Sequence, residues 1–164
     1  MLGTMIAQPK YNYRRRLPHI QKNEWPLFIT FATARRWHLP PSAREIVLQC
    51  CLVHHGSKYE LITAVVLPDH AHMVLSPLRR PDGWCWSLPE IMHAIKGSSA
   101  HGINKLLGRT GAVWQQEWFD HVLRSNESLE EKVAYICNNP VRAGLVSEPS
   151  QYPWLWRSSV GTGL

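Results

Sequence analysis

Two apolar runs lie next to each other in the middle of the chain, in the stretch YELITAVVLPDHAHMVLSP at residues 59–77. Both runs are rich in apolar and β-branched residues, and only the dipeptide Pro68-Asp69 lies between them. Such a pattern is typical of a β-hairpin. The sequence therefore predicts two adjacent antiparallel strands, the second of which begins with His70 and His72.

Further elements are predicted before and after this hairpin. The alternating stretch PLFITFATARRW, residues 26–37, reads as a first strand. A helix follows it, with Ser42 as its N-cap and Gly56 at its end. After the hairpin, Ser87 caps a long second helix that the sequence predicts to be interrupted near Gly97.

The last predicted elements complete the fold class. Residues 112–125 form a fourth strand, and a helix then opens with a capping box made by Ser128 and Glu131 and ends near Pro140. The order β-α-β-β-α-β plus a further helix is that of a ferredoxin-like α+β sandwich. We therefore expect an antiparallel sheet of four to five strands with helices on one face, and a C-terminal helix that carries Tyr135.

The length of 164 residues suits a single domain. We expect a basic N-terminal arm over about residues 1–25, a core over 26–146 and a tail over 147–164. The four cysteines show no C-x-x-C spacing and no disulfide pattern. With no apolar run of membrane-spanning length and no secretory signal, the sequence predicts a cytoplasmic protein that is associated with the nucleoid.

The net charge of +6 is concentrated at the N-terminus, because the first 36 residues hold seven Lys/Arg and one Glu, whereas the rest balances eleven basic with eleven acidic residues. Basic residues interleaved with aromatic ones suit a nucleic acid, since cations neutralise phosphates and rings stack on bases. A solvated basic tail is the alternative. The candidate DNA-binding residues here are Arg14, Arg15, Arg16, Arg35 and Arg36.

His70 and His72 are two residues apart on the predicted strand. Side chains at this spacing leave the same face of a strand about 6.5 to 7 Å apart, so both imidazoles would point one way while Ala71 and Met73 point the other. If Ala71 and Met73 face the core, the histidines face away from it. Two imidazoles so placed can share an ion such as Mn, Fe, Ni or Zn. The same residues can also be two buried, hydrogen-bonded histidines, and the pattern leaves both interpretations open.

Tyr135 and Asn139 are four residues apart on the last predicted helix and therefore share one face of it. A tyrosine can act as a covalent nucleophile, and an amide oxygen is a ligand for hard metal ions. A core tyrosine beside an Asn-Pro helix stop is the alternative.

Two blocks, VVLPDHAHMVLSP and AYICNNPVRAGLV, together resemble the motifs of a known family. The first is similar to the histidine-hydrophobe-histidine (HUH) motif of single-strand DNA transposases, and the second to the tyrosine block of their REP-associated tyrosine transposase branch. The intervening WQQEWFDHVLRSNESLEE is similar to the link between these blocks in that branch. The resemblance covers roughly residues 10–156.

The resemblance implies a site and a reaction. His70, His72 and Asn139 would hold a divalent cation, Mg²⁺ or Mn²⁺, and Tyr135 would attack a DNA phosphate to leave a 5′-phosphotyrosine and a free 3′-hydroxyl. The partner would be single-stranded or hairpin DNA with REP-like palindromes, and the protein a monomer, with a dimer still open. Ala71 departs from the family pattern, which has a bulkier hydrophobe there.

Other polar residues have weaker support. Lys96, Arg124 and Arg142 could hold phosphates or be ordinary surface charges. Hydrogen bonds to the metal ligands could come from Glu117, Asp120 and His121, which would orient those ligands.

Three functions are compatible with these patterns. The first is the metal-dependent tyrosine nuclease and strand transferase that the resemblance implies. The second is a hairpin-binding protein on the same fold that does not cleave. The third is a small metallohydrolase, which the sequence disfavours because it would leave Tyr135 and Asn139 without a role.

Overall fold

The computed structural model describes residues 25–159, so Arg14, Arg15 and Arg16 of the predicted basic arm lie outside the described residues. Within this range, no helix is both long enough and apolar enough to cross a membrane. The structure contains strands β1 (Leu27–Ala32), β2 (Tyr59–Val66), β3 (His70–Pro77), β4 (Phe119–Val122) and β5 (Leu155–Arg157), and helices α1 (Pro41–Leu52), α2 (Leu88–Leu107) and α3 (Asn126–Arg142).

The five strands form one antiparallel sheet in the order β4-β1-β3-β2-β5. The predicted hairpin is confirmed, because β2 and β3 pair from Val66 with Ala71 onward and a short turn connects them. The predicted α+β class is confirmed as well. Its fifth strand, β5, pairs with the outer edge of β2.

The strands alternate their side chains between two covered faces. Ile29 and Phe31 of β1 and Ala71 and Met73 of β3 are buried in the main core, which also contains residues of α1 and α2. The opposite face carries a second apolar cluster that includes Phe28 and side chains of α3. Ala71 and Met73 therefore face the main core, and the two histidines occupy the opposite face, beneath α3.

Two helices begin earlier than the sequence predicts. The N-cap of α1 is Pro40 rather than Ser42, because Pro41 occupies the first helical position, where its missing N–H costs nothing. The N-cap of α3 is Ser125, whose hydroxyl accepts a hydrogen bond from the Ser128 backbone N–H at 3.1 Å. The predicted capping box of Ser128 and Glu131 is therefore wrong, since a serine one turn earlier satisfies this end of the helix.

Three further boundaries differ from the prediction. Strand β1 ends at Ala32 rather than Trp37, because a short 3-10 turn follows it. Strand β4 is only four residues long. Helix α3 continues through Pro140 to Arg142, and the Ala143 N–H still donates to the Asn139 carbonyl.

Helix α2 is also continuous, whereas the sequence predicts an interruption near Gly97. Gly97 lies in the middle of the helix and is exposed. A Cβ atom placed there would have no neighbour within 4 Å. The glycine is therefore not required by packing, and it only weakens the helix through its extra freedom in the unfolded chain.

The substitution Gly97→Ala tests this continuity. We expect it to raise the free energy of unfolding by about 0.5 to 1 kcal/mol, because alanine is the better helix former and the space is open. Urea unfolding followed by circular dichroism measures the change. A loss of stability would mean that the helix is broken at this position.

Candidate active site

Strand β3 places His70 and His72 side by side on the α3 face of the sheet. Their ring centroids are 4.8 Å apart and the ring planes are nearly perpendicular, at 82°. This arrangement follows from the alternation of a β-strand, which points residues i and i+2 to the same side. The predicted pairing of the two imidazoles is therefore present in the fold.

His70 is held by Asp69, the residue before it. Its Nδ1 lies 2.6 Å from Oδ1 of Asp69, and because a carboxylate can only accept, Nδ1 carries the hydrogen. Burial disfavours the Asp69 carboxylate, but its hydrogen bond with His70 and the positive charge of Arg36 outweigh this and lower the pKa of Asp69. The lone pair of His70 is therefore on Nε2, where it is available to an ion.

His72 is buried and its Nδ1 lies 2.7 Å from the hydroxyl of Thr30, its cross-strand partner on β1. Burial, followed by the positive charges of His70, Lys132 and Arg36, lowers the pKa of His72 to about 3. The imidazole is therefore neutral at neutral pH, which is the form that binds metals. Its Nε2 is buried and has no hydrogen-bond partner in the described chain.

These two side chains fit a divalent cation. A buried ring nitrogen without a partner is costly unless something else binds it. Histidine ligands of metals usually have their other ring nitrogen fixed by a hydrogen bond, as both histidines do here.

Helix α3 brings Tyr135 next to this pair. The ring of Tyr135 lies 5.6 Å from that of His72 and 6.1 Å from that of Phe28, both in edge-to-face contact. The ammonium of Lys132 and the guanidinium of Arg142 lie 5.6 and 5.1 Å from the Tyr135 ring centre. The Tyr135 ring therefore contacts His72 and lies close to two cations.

Asn139 lies one helical turn after Tyr135 and is half-buried on the same side of α3. Among residues 25–159, no group of three or more His, Cys, Asp or Glu side chains is arranged to hold a metal ion. Asn139 is the third ligand that the resemblance implies, and this role stays a prediction.

The predicted basic residues are spread over the molecule. Arg35 and Arg36 lie in the turn after β1, and Arg36 contacts Asp69 of the site. Lys96 is on α2, across the sheet from the histidines, and its ammonium donates to the backbone carbonyls of residues 115 and 116 at 2.8 and 2.9 Å. Arg124 lies just after β4. The last residue of β4, Val122, pairs with Leu27 at one end of β1, whereas His70 pairs with Ala32 at the other end. Of these residues, the structure brings only Arg36 to the histidines.

The three predicted supporting residues do not contact the histidines through any described bond. Asp120 accepts a hydrogen bond from the indole N–H of Trp118 at 3.1 Å, in the part of the core beneath α2. His121 is exposed on the edge strand and pairs with Phe28. Glu117 is in the loop before β4.

The structure adds four residues to the site that the sequence did not single out. Asp69 precedes His70 directly, and Lys132 lies three residues before Tyr135, so helical spacing could have indicated it. Thr30 and Phe28 are on β1, and only the register of β1 with β3 reveals them.

The hydrogen bond of Thr30 can be tested by Thr30→Val, which keeps the side-chain shape. We expect a loss of about 1 kcal/mol in the free energy of unfolding, because the buried Nδ1 of His72 loses its partner. The exposed Thr110→Val is the matched control and should change stability by less than about 0.5 kcal/mol. Equal effects of both substitutions in urea unfolding would contradict this assignment.

The chain resembles named transposases and one of their structures. It is 24% identical to the REP-associated tyrosine transposase of Escherichia coli (strain K12) over 149 residues, which cover 87% of this chain and 79% of that protein. It is 23% identical over 101 residues to a Haemophilus influenzae relative with the same family designation. That match covers 58% of this chain and 57% of the relative. No protein-family model matches the chain.

The solved structure of a REP-associated tyrosine transposase bound to a REP hairpin superposes with a TM-score of 0.67. It is 24% identical, and the superposition covers 88% of this chain and 81% of that one. The resemblance predicted from the HUH and tyrosine blocks is confirmed, and the chain is related to the REP-associated tyrosine transposases.

Proposed function

We propose that this protein is a metal-dependent DNA endonuclease and strand transferase that nicks single-stranded or hairpin DNA through Tyr135. The observation that carries the proposal is the contact between Tyr135 and His72, because it joins a nucleophile to a buried imidazole whose Nε2 has no hydrogen-bond partner among residues 25–159. The relationship to transposases and the shared fold with a hairpin-bound member support the same conclusion.

The chemical step is an exchange of one phosphate ester for another. The Tyr135 oxygen forms a bond to the scissile phosphorus as its proton leaves, and the bond from phosphorus to the 3′-oxygen breaks. The 3′-oxygen takes up a proton and becomes a hydroxyl, while the strand on the other side keeps a 5′-phosphotyrosine link. Because the ester is conserved rather than hydrolysed, a second 3′-hydroxyl can reverse the reaction and join the strand to a new end.

His70, His72 and Asn139 are the residues proposed to hold Mg²⁺ or Mn²⁺. A divalent cation bound there would withdraw charge from the phosphate as a Lewis acid and fix its position. Asp69 and Thr30 would keep the two imidazoles oriented through the hydrogen bonds to their Nδ1 atoms.

Lys132 and Arg142 are proposed to contact the DNA backbone beside the scissile phosphate. On α3, Lys132 lies about one turn before Tyr135 and Arg142 about two turns after it, and both cations are within 6 Å of its ring centre. Positive charges so placed attract the phosphates that flank the nucleophile and oppose the charge that develops in the transition state.

The substrate is proposed to be a REP-like palindrome in DNA, which would place the protein at the nucleoid. The E. coli relative carries REP elements in its name, and the superposed structure holds a REP hairpin. The protein is proposed to act as a monomer, because a single chain supplies both histidines and the tyrosine.

The central test of this proposal is the substitution Tyr135→Phe. Wild-type protein, incubated with Mn²⁺ and hairpin DNA labelled at its 3′ end, should form a covalent adduct that survives a denaturing gel. The variant should form no adduct yet bind the hairpin as tightly, because it lacks only the nucleophilic oxygen. Tyr152→Phe, in the same apolar cluster, is the matched control and should retain the adduct, and chelation by EDTA should abolish it.

The outcomes of this test separate the candidate functions. Tight hairpin binding without an adduct over a broad hairpin panel would support a protein that binds and does not cleave. Cleavage that persists in Tyr135→Phe would contradict the tyrosine mechanism and favour a metallohydrolase that uses water.

The proposed phosphate contact of Lys132 can be tested by Lys132→Gln. We expect the slope of log K against log salt for single-stranded DNA binding to decrease by about 0.7, the value for one lost phosphate contact on a single strand. Lys105→Gln, near the end of α2, is the control and should leave the slope unchanged. The same slope in both variants would exclude the contact.

A further inference from the structure

The turn that follows β1 contains two consecutive arginines with left-handed backbones. Arg35 has φ of 53° and Arg36 has φ of 56°, and both are exposed. Left-handed φ is unfavourable for residues with a Cβ atom, and two such residues in succession are rare outside functional sites. A conformation of this kind persists only where the surrounding structure enforces it.

Hydrogen bonds on both sides of the two arginines enforce this conformation. The Thr33 N–H donates to the Asp69 carbonyl at 2.9 Å, and the Leu39 N–H donates to the Pro68 carbonyl at 2.6 Å. Both acceptors are in the turn between β2 and β3, directly before the first histidine. The arginine turn is therefore fixed to the segment that carries His70.

The consequence of this geometry is an ion pair in the site. Nε of Arg36 donates to Oδ2 of Asp69 at 2.9 Å, while Oδ1 of the same carboxylate accepts from Nδ1 of His70 at 2.6 Å. One carboxylate is therefore held between a guanidinium and an imidazole, with one oxygen for each. Arg35, which also has a positive φ, makes no such contact with Asp69.

We infer that Arg36 is a positioning residue, which fixes the Asp69 carboxylate so that His70 presents Nε2 to the divalent cation. The inference rests on the proposed function of the His70 and His72 pair. This role differs from the DNA-phosphate contact that the sequence predicts for Arg36. It also accounts for the left-handed turn, because that backbone directs the guanidinium of Arg36 toward Asp69.

Glycine variants separate this role from a structural one, because Arg36→Gly should gain stability and lose metal affinity, whereas Arg35→Gly should gain stability alone. Glycine adopts left-handed φ without a steric penalty, so Arg36→Gly and Arg35→Gly should both raise the melting temperature, by roughly 2 °C. Only Arg36→Gly should weaken Mn²⁺ binding, by about 10-fold, the lower end of what loss of a partner behind a ligand costs. Arg36→Lys should recover part of the affinity, because it restores the charge without the planar fork.

Mn²⁺ affinity is measured by electron paramagnetic resonance titration in the absence of DNA. The tautomer of His70 is measured by ¹⁵N NMR spectra, in which the Nδ1–H form should predominate in wild type and decrease in Arg36→Gly. Equal Mn²⁺ affinity and equal His70 spectra in the two glycine variants would overturn the inference while the proposed function stands. If wild type binds no Mn²⁺, or if His70→Ala binds Mn²⁺ as tightly as wild type, the proposed metal site is wrong. The inference about Arg36 is then wrong as well.

Discussion

The antiparallel pairing of β1 with β3 is the interaction on which the site depends. Its register sets Thr30 opposite His72 and Ala32 opposite His70, so the α3 face receives both imidazoles together with the hydroxyl that holds one of them. A shift of one residue would turn both histidines into the main core and bring Ala71 and Met73 out of it. The packing of α1 and α2 on the main core therefore fixes the strand register, and with it the face on which the histidines lie.

The second apolar cluster packs α3 against the sheet. This helix packs on the face that carries the histidines through Ile136, while Tyr135 stands beside the cluster and contacts both Phe28 and His72. One helix thus supplies the packing residue, the proposed nucleophile and the two cations near it within about three turns. Burial beneath this helix also explains why His72 remains neutral, because an imidazolium there would lose its hydration next to other positive charges.

The sequence predicted the parts of this arrangement that depend on short-range periodicity. The hairpin, the common face of His70 and His72 and the helical spacing of Tyr135 and Asn139 follow from periods of 2 and 3.6 residues. Thr30 could not be predicted, because its role depends on the register between strands that are some forty residues apart. Helix starts were misplaced where several serines compete as caps, as at Ser125 and Ser128.

Joint action of the histidine pair and Tyr135 on one phosphate can be detected by mass spectrometry of the DNA-linked peptide. Wild-type protein trapped with Mn²⁺ and a short hairpin should give, after nuclease and protease digestion, one peptide that carries a 5′-nucleotide on Tyr135. Substitution of His72 by alanine should remove that peptide from the digest. A nucleotide attached to any other residue, or an undiminished Tyr135 adduct without His72, would contradict the account.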